Sequence, residues 1–438
     1  MMRELHKILA KHILADGFPI ELDLEKSAGS YLVDRNGDRY LDMFSMFASS
    51  PVGYNHPYIV AQQNLLGKMA VNKPAMSDTY PYQYADILTT FSRVAIPQEL
   101  SYCFFISGGA LAVENALKAA FDWKTRLNLA KGITKEASQV IHFQEAFHGR
   151  SGYTLSLTNT TDPRKYMYFP KFNWPRIINP KLTFPLTEES LNATIRNEEE
   201  AIRQIEAAIA RFPDEIACII LEPIQGEGGD NHFRKDFFKK LRQICDRHDI
   251  LLILDEVQTG LAMTGKMWAY QHFDITPDVI AFGKKTQVCG ILANRRTFDR
   301  VGHHVFQESS RINSTFGGNF IDMLRFKFIL EIIEQDNLVQ KAQEVGRYLL
   351  NQLKQLVDSH PYLSNPRGLG LMASFDFDTG GHRDAFIKNA MQNGLIILGC
   401  GGRSVRFRPH LTVTIEEIDK AMAIVRRSLL TVAPPHAC

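Results

Sequence analysis

Short apolar runs alternate along the chain with longer segments in which apolar residues recur every three or four positions. The short runs predict strands and the longer period predicts helices, so their alternation predicts an α/β fold. Two of the runs, 216–222 and 250–255, are apolar at every position but the last, which is typical of parallel strands buried on both faces. The predicted central strands are 101–106, 139–143, 216–222, 250–255 and 279–282, and we expect the series to close at 282.

The two ends of the chain carry further predicted elements. A hairpin is predicted at 31–43 around Asn36 and Gly37, a turn pair that joins antiparallel strands. One long helical pattern covers 322–356, and three apolar runs and a last helix at 415–430 follow it. We therefore predict an N-terminal segment at 1–55, a large central domain at 56–311 and a C-terminal domain at 312–438.

Composition narrows the class of protein and of partner. The 438 residues are 45% hydrophobic and 22% charged, as in globular proteins, and 50 basic side chains nearly balance 48 acidic ones. A net charge of +2 argues against a nucleic-acid or anionic-membrane partner, and no apolar run reaches the roughly 20 residues that span a bilayer. The six cysteines form no CxxC pair, which we expect of a reduced, cytoplasmic protein.

Polar residues follow several of the predicted strands, at the sheet edge where ligands bind in α/β proteins. Asp255 ends ILLILD, and its carboxylate could either cap a following helix or face a cationic ring nitrogen. Gln258 could turn back and offer its amide to the same ligand. Phe147 and His148 follow the strand 139–143, where a flat aromatic side chain could stack on a heterocycle or pack in the core.

A second group of segments offers anion-binding and nucleophilic chemistry. Gly109 and Ala110 stand between a strand and a helix, where backbone N–H groups favour a phosphate, although a tight turn explains the glycines equally well. The run DVIAFG ends in Lys284 and Lys285, which are either solvated surface residues or include a nucleophilic amine. Glu227 lies in a glycine-flanked loop.

These motifs together resemble those of the class III pyridoxal-phosphate-dependent aminotransferases. The segments SGGALAVENALKAA, FHGR, EPIQGEGG, DEVQTG, GKKTQVCG, NSTFGG and VRFRPHLTV occur in order and span most of the chain. The resemblance implies fold type I: a large domain with a mostly parallel seven-stranded sheet, a smaller α/β lobe from both chain ends, and a homodimer with shared sites. Two departures stand out: Ser-Gly-Gly-Ala-Leu-Ala replaces the usual Ser-Gly-(Ala/Ser)-Glu-Ala, and Cys289 precedes Gly290 in place of a glycine.

The resemblance assigns roles around the cofactor, pyridoxal 5′-phosphate (PLP). Lys284 matches the lysine that attaches PLP covalently and moves the substrate proton, and Lys285 remains the alternative if the match slips by one residue. Asp255 is expected to keep the ring nitrogen protonated. The residues expected to bind PLP are Gly109, Ala110, Phe147, His148, Asp255, Gln258 and Lys284, together with Thr315 from the neighbouring subunit. No metal is expected.

The same resemblance suggests the substrates. The segments GGALAVENALKAAFDWK, FGKKTQVCG and LTNT…FPKFNWPRI are similar to those of family members that move the ε-amino group of L-lysine to 2-oxoglutarate, giving L-glutamate. The expected substrate-binding residues are Arg150, Glu227, Asn313 and Arg406. Our hypothesis is that Arg150 binds the distal carboxylate of both substrates, Arg406 binds the near carboxylate of 2-oxoglutarate, and Glu227 pairs with Arg406 while lysine reacts.

Two alternatives stay open from the sequence. Another ω-aminotransferase, acting on ornithine or 4-aminobutyrate, would differ mainly in the length of its pocket. A racemase or decarboxylase could use the same cofactor on the same fold. A second carboxylate substrate needs the pair of Arg406 and Glu227, which counts against the second alternative.

Overall fold

A computed structural model describes residues 4–430 and residue 432 of the chain. Its strands, in chain order, are β1 (Tyr31–Val33), β2 (Arg39–Asp42), β3 (Tyr102–Ile106), β4 (Gln139–Phe143), β5 (Arg176–Ile177), β6 (Ile216–Leu221), β7 (Leu251–Asp255), β8 (Val279–Phe282), β9 (Cys289–Ala293), β10 (Leu363–Leu369), β11 (Met372–Phe377), β12 (Leu395–Ile396), β13 (Leu398–Cys400) and β14 (Ser404–Phe407).

Helices connect most of these strands. They are α1 (Glu4–Leu9), α2 (Ser45–Ala48), α3 (Pro57–Val60), α4 (Gln63–Ala70), α5 (Gln83–Val94), α6 (Gly109–Ala130), α7 (Gly152–Leu157), α8 (Glu188–Arg211), α9 (Lys235–His248), α10 (Arg295–Phe298), α11 (Phe320–Gln335), α12 (Leu338–Asp358), α13 (Gly380–Gln392) and α14 (Ile415–Leu429). Short 3₁₀ turns cover Pro163–Lys165, Ala269–His272 and Lys284–Thr286.

The central sheet has seven strands in the order β3-β9-β8-β7-β6-β4-β5. All of its neighbouring pairs are parallel except those that β9 makes with β3 and β8. Alternate residues of β7 face two different cores: Leu252 and Leu254 pack with α9, whereas Ile253 packs with α6. Burial on both faces explains why this strand is apolar until its last residue. The mostly parallel sheet that the sequence predicted is therefore present.

Three strands differ from the sequence prediction. The strand series does not close at 282, because β9 follows and lies between β3 and β8. The glycine at 290 weakens the strand pattern of β9 in the sequence. Glycine is needed there because a Cβ would lie 2.2 Å from the backbone oxygen of Phe104. Strands β5 and β10 were also missed, since β5 has two residues and β10 carries a register shift between Ser364 and Arg367.

The predicted single helix at 322–356 is two helices. α11 ends at Gln335 and α12 begins at Leu338, and Asn337 between them is left-handed with φ 51°. Asparagine tolerates this conformation better than most residues do. A residue in the left-handed conformation cannot continue a right-handed helix, so the helix breaks here. The apolar period continues across the break, so the pattern alone could not locate it.

Two smaller sheets accompany the central one, and strands from both chain ends meet in the first of them. The predicted hairpin forms from β1 and β2, and β12 joins it in parallel, with Leu395 opposite Leu41. A four-stranded sheet has the order β10-β11-β14-β13. The domain boundaries at 55 and 311 stay predictions.

Two further findings concern the residues that the structure describes. None of their helices has both the length and the apolar composition that crossing a membrane requires. Their cysteines are free thiols, and Cys438 lies outside the described residues.

Candidate active site

A cavity of about 550 Å³ opens at the carboxyl ends of the parallel strands. The sequence predicted twelve site residues, and all of them except Asn313 and Thr315 line this cavity. The segments that follow β3, β4, β6, β7 and β8 each contribute to its wall. Residues far apart in the chain therefore meet because neighbouring parallel strands end at the same edge of the sheet.

The two adjacent lysines have different surroundings. Lys284 lines the cavity in a left-handed conformation with φ 54°. Lys285 is 2% exposed, and its amine donates a hydrogen bond of 2.6 Å to the backbone oxygen of Gln258. Neither is a solvated surface lysine, so that alternative is wrong. Of the two lysines, only Lys284 lines the cavity, where its amine could reach a ligand.

Burial lowers the pKa of the Lys284 amine, and the nearby guanidinium of Arg406 lowers it further. The carboxylates of Asp255, Glu222 and Glu227 act in the opposite direction but do not cancel the effect. A lowered pKa increases the fraction of neutral amine, which is the form that attacks a carbonyl carbon.

Asp255 lies at the end of β7 and is 5% exposed. Its Oδ2 lies 2.8 Å from Nδ1 of His148, and its Oδ1 accepts the Val257 N–H at 3.1 Å. The alternative that Asp255 caps a helix is wrong, because the next helical turn begins at Ala269. The carboxylate is instead held in the wall of the cavity by His148, where it can face a cation.

Two carboxyl groups next to Asp255 are buried in the protein. Glu222 is 5% exposed and accepts the N–H groups of Phe147 at 2.9 Å and Gly226 at 3.0 Å, so it ties two cavity segments together. Burial raises the pKa of Glu222 to about 7. Glu256, 1% exposed, accepts the N–H of Tyr270 at 2.8 Å, and burial raises its pKa to about 7 as well.

The raised pKa of Glu256 predicts a pH dependence of stability. Between its ordinary value of 4.5 and about 7, the folded protein holds a proton that the unfolded chain releases, so stability falls as pH rises through this window. The fall in the free energy of unfolding amounts to at most about 3 kcal/mol, and we expect Glu256→Gln to remove it. Urea unfolding at several pH values measures it, with the exposed Glu199→Gln on α8 as the control. An unchanged pH slope in Glu256→Gln would show that the carboxyl is not titrating in this way.

The N-terminus of α6 has the features of an anion-binding site. Gly108, with φ 110°, precedes Gly109 and Ala110, and no side chain caps the free N–H groups of this 22-residue helix. Gly149 packs against this turn with φ 131°, and a Cβ there would lie 2.5 Å from that of Ala110. The order of strand, glycine turn and helix is as predicted, and the backbone N–H groups point to where a phosphate could bind.

Phe147 lies at the cavity and belongs to none of the three hydrophobic clusters of the described residues. The alternative that it packs in the core is therefore wrong. The guanidinium carbon of Arg150 lies 5.8 Å from the centre of its ring, and the amine of Lys165 lies 5.9 Å from the same centre. Because Phe147 lines the cavity, its flat ring is placed where it could stack on a planar ligand.

Gln258 is oriented by Arg408, a residue that sequence reasoning missed. Its Oε1 accepts hydrogen bonds from Nε of Arg408 at 3.1 Å and from Nη2 at 2.9 Å. Arg408 is itself buried and paired with Asp230. Because the amide oxygen is occupied, the amide nitrogen of Gln258 is left to donate to a ligand.

An ion-pair cluster closes one side of the cavity. Nη2 of Arg406 lies 2.9 Å from Oε2 of Glu227, and the other oxygen of Glu227 contacts the amine of Lys165. Although burial opposes it, the attraction of Arg406 and Lys165 holds the pKa of Glu227 below its ordinary value. Nη1 of Arg406 is buried and has no hydrogen-bond partner among the described residues. Arg150 is exposed, and it forms no ion pair with a carboxylate of the described residues.

A left-handed turn, α2, forms another part of the wall that the sequence did not indicate. Ser45 and its three following residues have φ between 41° and 62°, and Met46 and Phe47 line the cavity. Asp42 holds the turn by accepting the N–H groups of Phe44 and Ser45, each at 2.8 Å. Left-handed residues other than glycine cost about 1–2 kcal/mol each, so the surrounding contacts must offset this strain.

Asn313 and Thr315 lie outside the cavity of their own chain. Both are exposed, and the backbone oxygen of Thr315 accepts a hydrogen bond of 3.2 Å from Ser77. Their predicted roles, including that of Thr315 in the site of a neighbouring subunit, stay predictions. Within the described residues, no group of three or more His, Cys, Asp or Glu side chains is arranged to hold a metal ion.

Comparison with known proteins identifies the family. The model of the class-III aminotransferases matches residues 14–429. The chain belongs to the class-III aminotransferases. It is 51% identical to the L-lysine-epsilon aminotransferase of Mycobacterium tuberculosis, over 97% of this chain and 95% of that protein. It is 45% identical to the L-lysine-epsilon aminotransferase of Streptomyces clavuligerus, over 98% and 95% of the two chains.

The solved structures agree with the sequence relatives. A lysine aminotransferase from M. tuberculosis superposes with a TM-score of 0.95 at 50% identity, over 98% of this chain and 99% of that one. The predicted family and the predicted fold, a mostly parallel seven-stranded sheet with smaller sheets from the chain ends, are thereby confirmed for this aminotransferase.

Proposed function

We propose that this aminotransferase moves the ε-amino group of L-lysine to 2-oxoglutarate with PLP as its cofactor. The products are L-2-aminoadipate 6-semialdehyde, which cyclises, and L-glutamate. The observation that carries the proposal is the pairing of Arg406 with Glu227 inside the cavity. The likeness of the chain to the L-lysine-epsilon aminotransferases supports lysine as the amino donor.

The residues of the cavity fit PLP in three ways. The glycine turn at Gly109 suits a phosphate, Asp255 offers a carboxylate to a ring nitrogen, and Lys284 offers an amine of lowered pKa. When bound, PLP supplies the electron-accepting ring that lets an amino group leave one substrate and join another.

The side chains then have separate tasks. Lys284 would hold the cofactor through its amine and would move the proton at the reacting carbon of the substrate. Asp255, held by His148, would offer its carboxylate to the ring nitrogen of PLP. The amide nitrogen of Gln258 would be available to donate to the ring oxygen of PLP, and Phe147 would stack on the ring.

Two substrates of different charge must use one pocket. The end of lysine that reacts carries no carboxylate, so Arg406 would be an unpaired buried cation if Glu227 did not neutralise it. The near carboxylate of 2-oxoglutarate displaces Glu227 and can also use the free Nη1 of Arg406. Arg150 binds the distal carboxylate of both substrates through its guanidinium fork.

Arg406→Ala is expected to impair the two half-reactions unequally. Loss of the carboxylate partner should slow the 2-oxoglutarate half-reaction by about 10²–10³-fold, the equivalent of about 3–4 kcal/mol, and the lysine half-reaction much less. Glu227→Ala should instead slow the lysine half-reaction more than the 2-oxoglutarate half-reaction. Single-turnover measurements of each half-reaction test both, with exposed Arg403→Ala as the control. Equal losses in both half-reactions would reject the switch.

The choice of substrate is tested by a panel of amino donors with 2-oxoglutarate as acceptor. We expect L-lysine to have the highest kcat/KM, with detection of the cyclised semialdehyde as product. A preference for ornithine or 4-aminobutyrate would support another ω-aminotransferase. Racemised lysine or release of carbon dioxide without glutamate would support a different reaction class on this fold.

The assembly and location belong to the same proposal. A homodimer would bring Thr315 and Asn313 of each chain, exposed in the single subunit, to the cavity of its neighbour. A cytoplasmic location agrees with the free thiols of the described cysteines.

A further inference from the structure

Lys165 contacts Glu227 on the side away from Arg406. It ends the 3₁₀ turn Pro163–Lys165, and its side chain is 16% exposed. Its amine contacts Oε1 of Glu227, whereas Nη2 of Arg406 contacts Oε2 at 2.9 Å. One carboxylate therefore bridges two cations, and each cation holds a different oxygen.

The backbone that carries Glu227 is fixed at three points. The N–H of Gly226 donates to Glu222 at 3.0 Å, and the oxygen of Glu227 accepts the N–H of Gly401 at 2.9 Å. Gly228 is packed so closely that a Cβ would lie 2.2 Å from the backbone oxygen of Glu145. Glu227 can therefore leave Arg406 by rotation of its side chain, without movement of the loop.

The charges of the cluster favour a second anion. Lys165 and Arg406 together carry one more positive charge than Glu227 neutralises. A substrate carboxylate on Arg406 balances this excess. Without Lys165, the same carboxylate would leave Glu227 as an unpaired, largely buried anion, which is costly.

We propose that Lys165 is a positioning residue that holds Glu227 while Arg406 binds the carboxylate of 2-oxoglutarate. This role rests on the proposed function, because it needs Glu227 to alternate between the two half-reactions. Lys165 acts through Glu227 and is the fixed end of the switch. Arg406 is the end from which the carboxylate is released.

Lys165→Met is expected to weaken the keto-acid half-reaction selectively. The apparent KM for 2-oxoglutarate should rise about 10–100-fold, since a charge-assisted hydrogen bond to Glu227 is lost. The lysine half-reaction should change by less than about 3-fold, because Glu227 stays on Arg406 there. Lys165→Arg should recover most of the loss. Arg164→Met, in the same turn but with a side chain that is 81% exposed, is the matched control.

The experiment repeats Lys165→Met in a Glu227→Gln background and measures both half-reactions of the holoenzyme in single turnovers. If Lys165 acts through Glu227, adding Lys165→Met to Glu227→Gln causes no further loss of rate in the 2-oxoglutarate half-reaction. An undiminished loss in that background would mean that Lys165 binds a substrate carboxylate directly, and would overturn the proposal.

The remaining outcomes separate this role from the proposed function. Selective loss in Glu227→Ala with no selective loss in Lys165→Met would overturn the role of Lys165 and leave the switch intact. Equal losses of both half-reactions in Glu227→Ala would overturn the switch, and the role of Lys165 with it. Equal losses in Lys165→Met with rescue by Lys165→Arg would assign Lys165 a general structural role and reject the proposal.

Discussion

Lys284→Ala is expected to abolish transamination, with a loss of at least about 10⁴-fold, because proton transfer by a positioned side chain alone contributes roughly 10²–10⁴-fold. The substitution also removes the amine that attaches the cofactor. Steady-state turnover of lysine with 2-oxoglutarate measures the loss. Borohydride reduction followed by peptide mass analysis shows which lysine carries PLP.

The neighbouring lysine provides a control at the level of a single residue. Lys285→Met removes a buried amine that donates to Gln258, so it should lower the melting temperature. It should nevertheless keep PLP attached at Lys284, since Lys285 does not line the cavity. PLP found on Lys285, or full turnover by Lys284→Ala, would refute the assignment.

Asp255→Asn is expected to reduce kcat by about 10²–10³-fold, because it removes the one charge of a desolvated ion pair with the ring nitrogen. The asparagine keeps the size of the side chain and can still accept from the Val257 N–H. Circular dichroism of the variant should therefore match that of the wild type, so that the loss reports on charge.

A carboxylate far from the cavity gives the control for this substitution. Asp246→Asn, whose side chain is 65% exposed on α9, should leave kcat unchanged. If Asp255→Asn binds PLP covalently and keeps the kcat of the wild type, Asp255 does not assist the ring in the proposed way.

The parallel strands were predictable because their burial leaves a direct trace in the sequence. Each residue of β6 and β7 faces one of two cores, so each must be apolar until the strand reaches the cavity. Strand β9 left no such trace, since close packing against Phe104 requires glycine at 290. The break at Asn337 was hidden because the apolar period of α11 resumes in α12.

The candidate site divides in a similar way. Residues that directly follow a strand, such as Asp255 and Lys284, could be placed at the sheet edge from the sequence. Arg408 and Lys165 could not, because their roles depend on side-chain contacts with Gln258 and Glu227, 150 and 62 positions away. Such contacts are set by the packing of loops, which no local pattern encodes.

The central claim is that the terminal nitrogen of lysine, not the α-nitrogen, is transferred within this cavity. The most direct measurement supplies lysine labelled with heavy nitrogen at one position at a time, together with 2-oxoglutarate, and determines the label in glutamate by mass spectrometry. We expect heavy glutamate from ε-labelled lysine and unlabelled glutamate from α-labelled lysine. Heavy glutamate from the α-labelled substrate, or no label from either, would contradict the account.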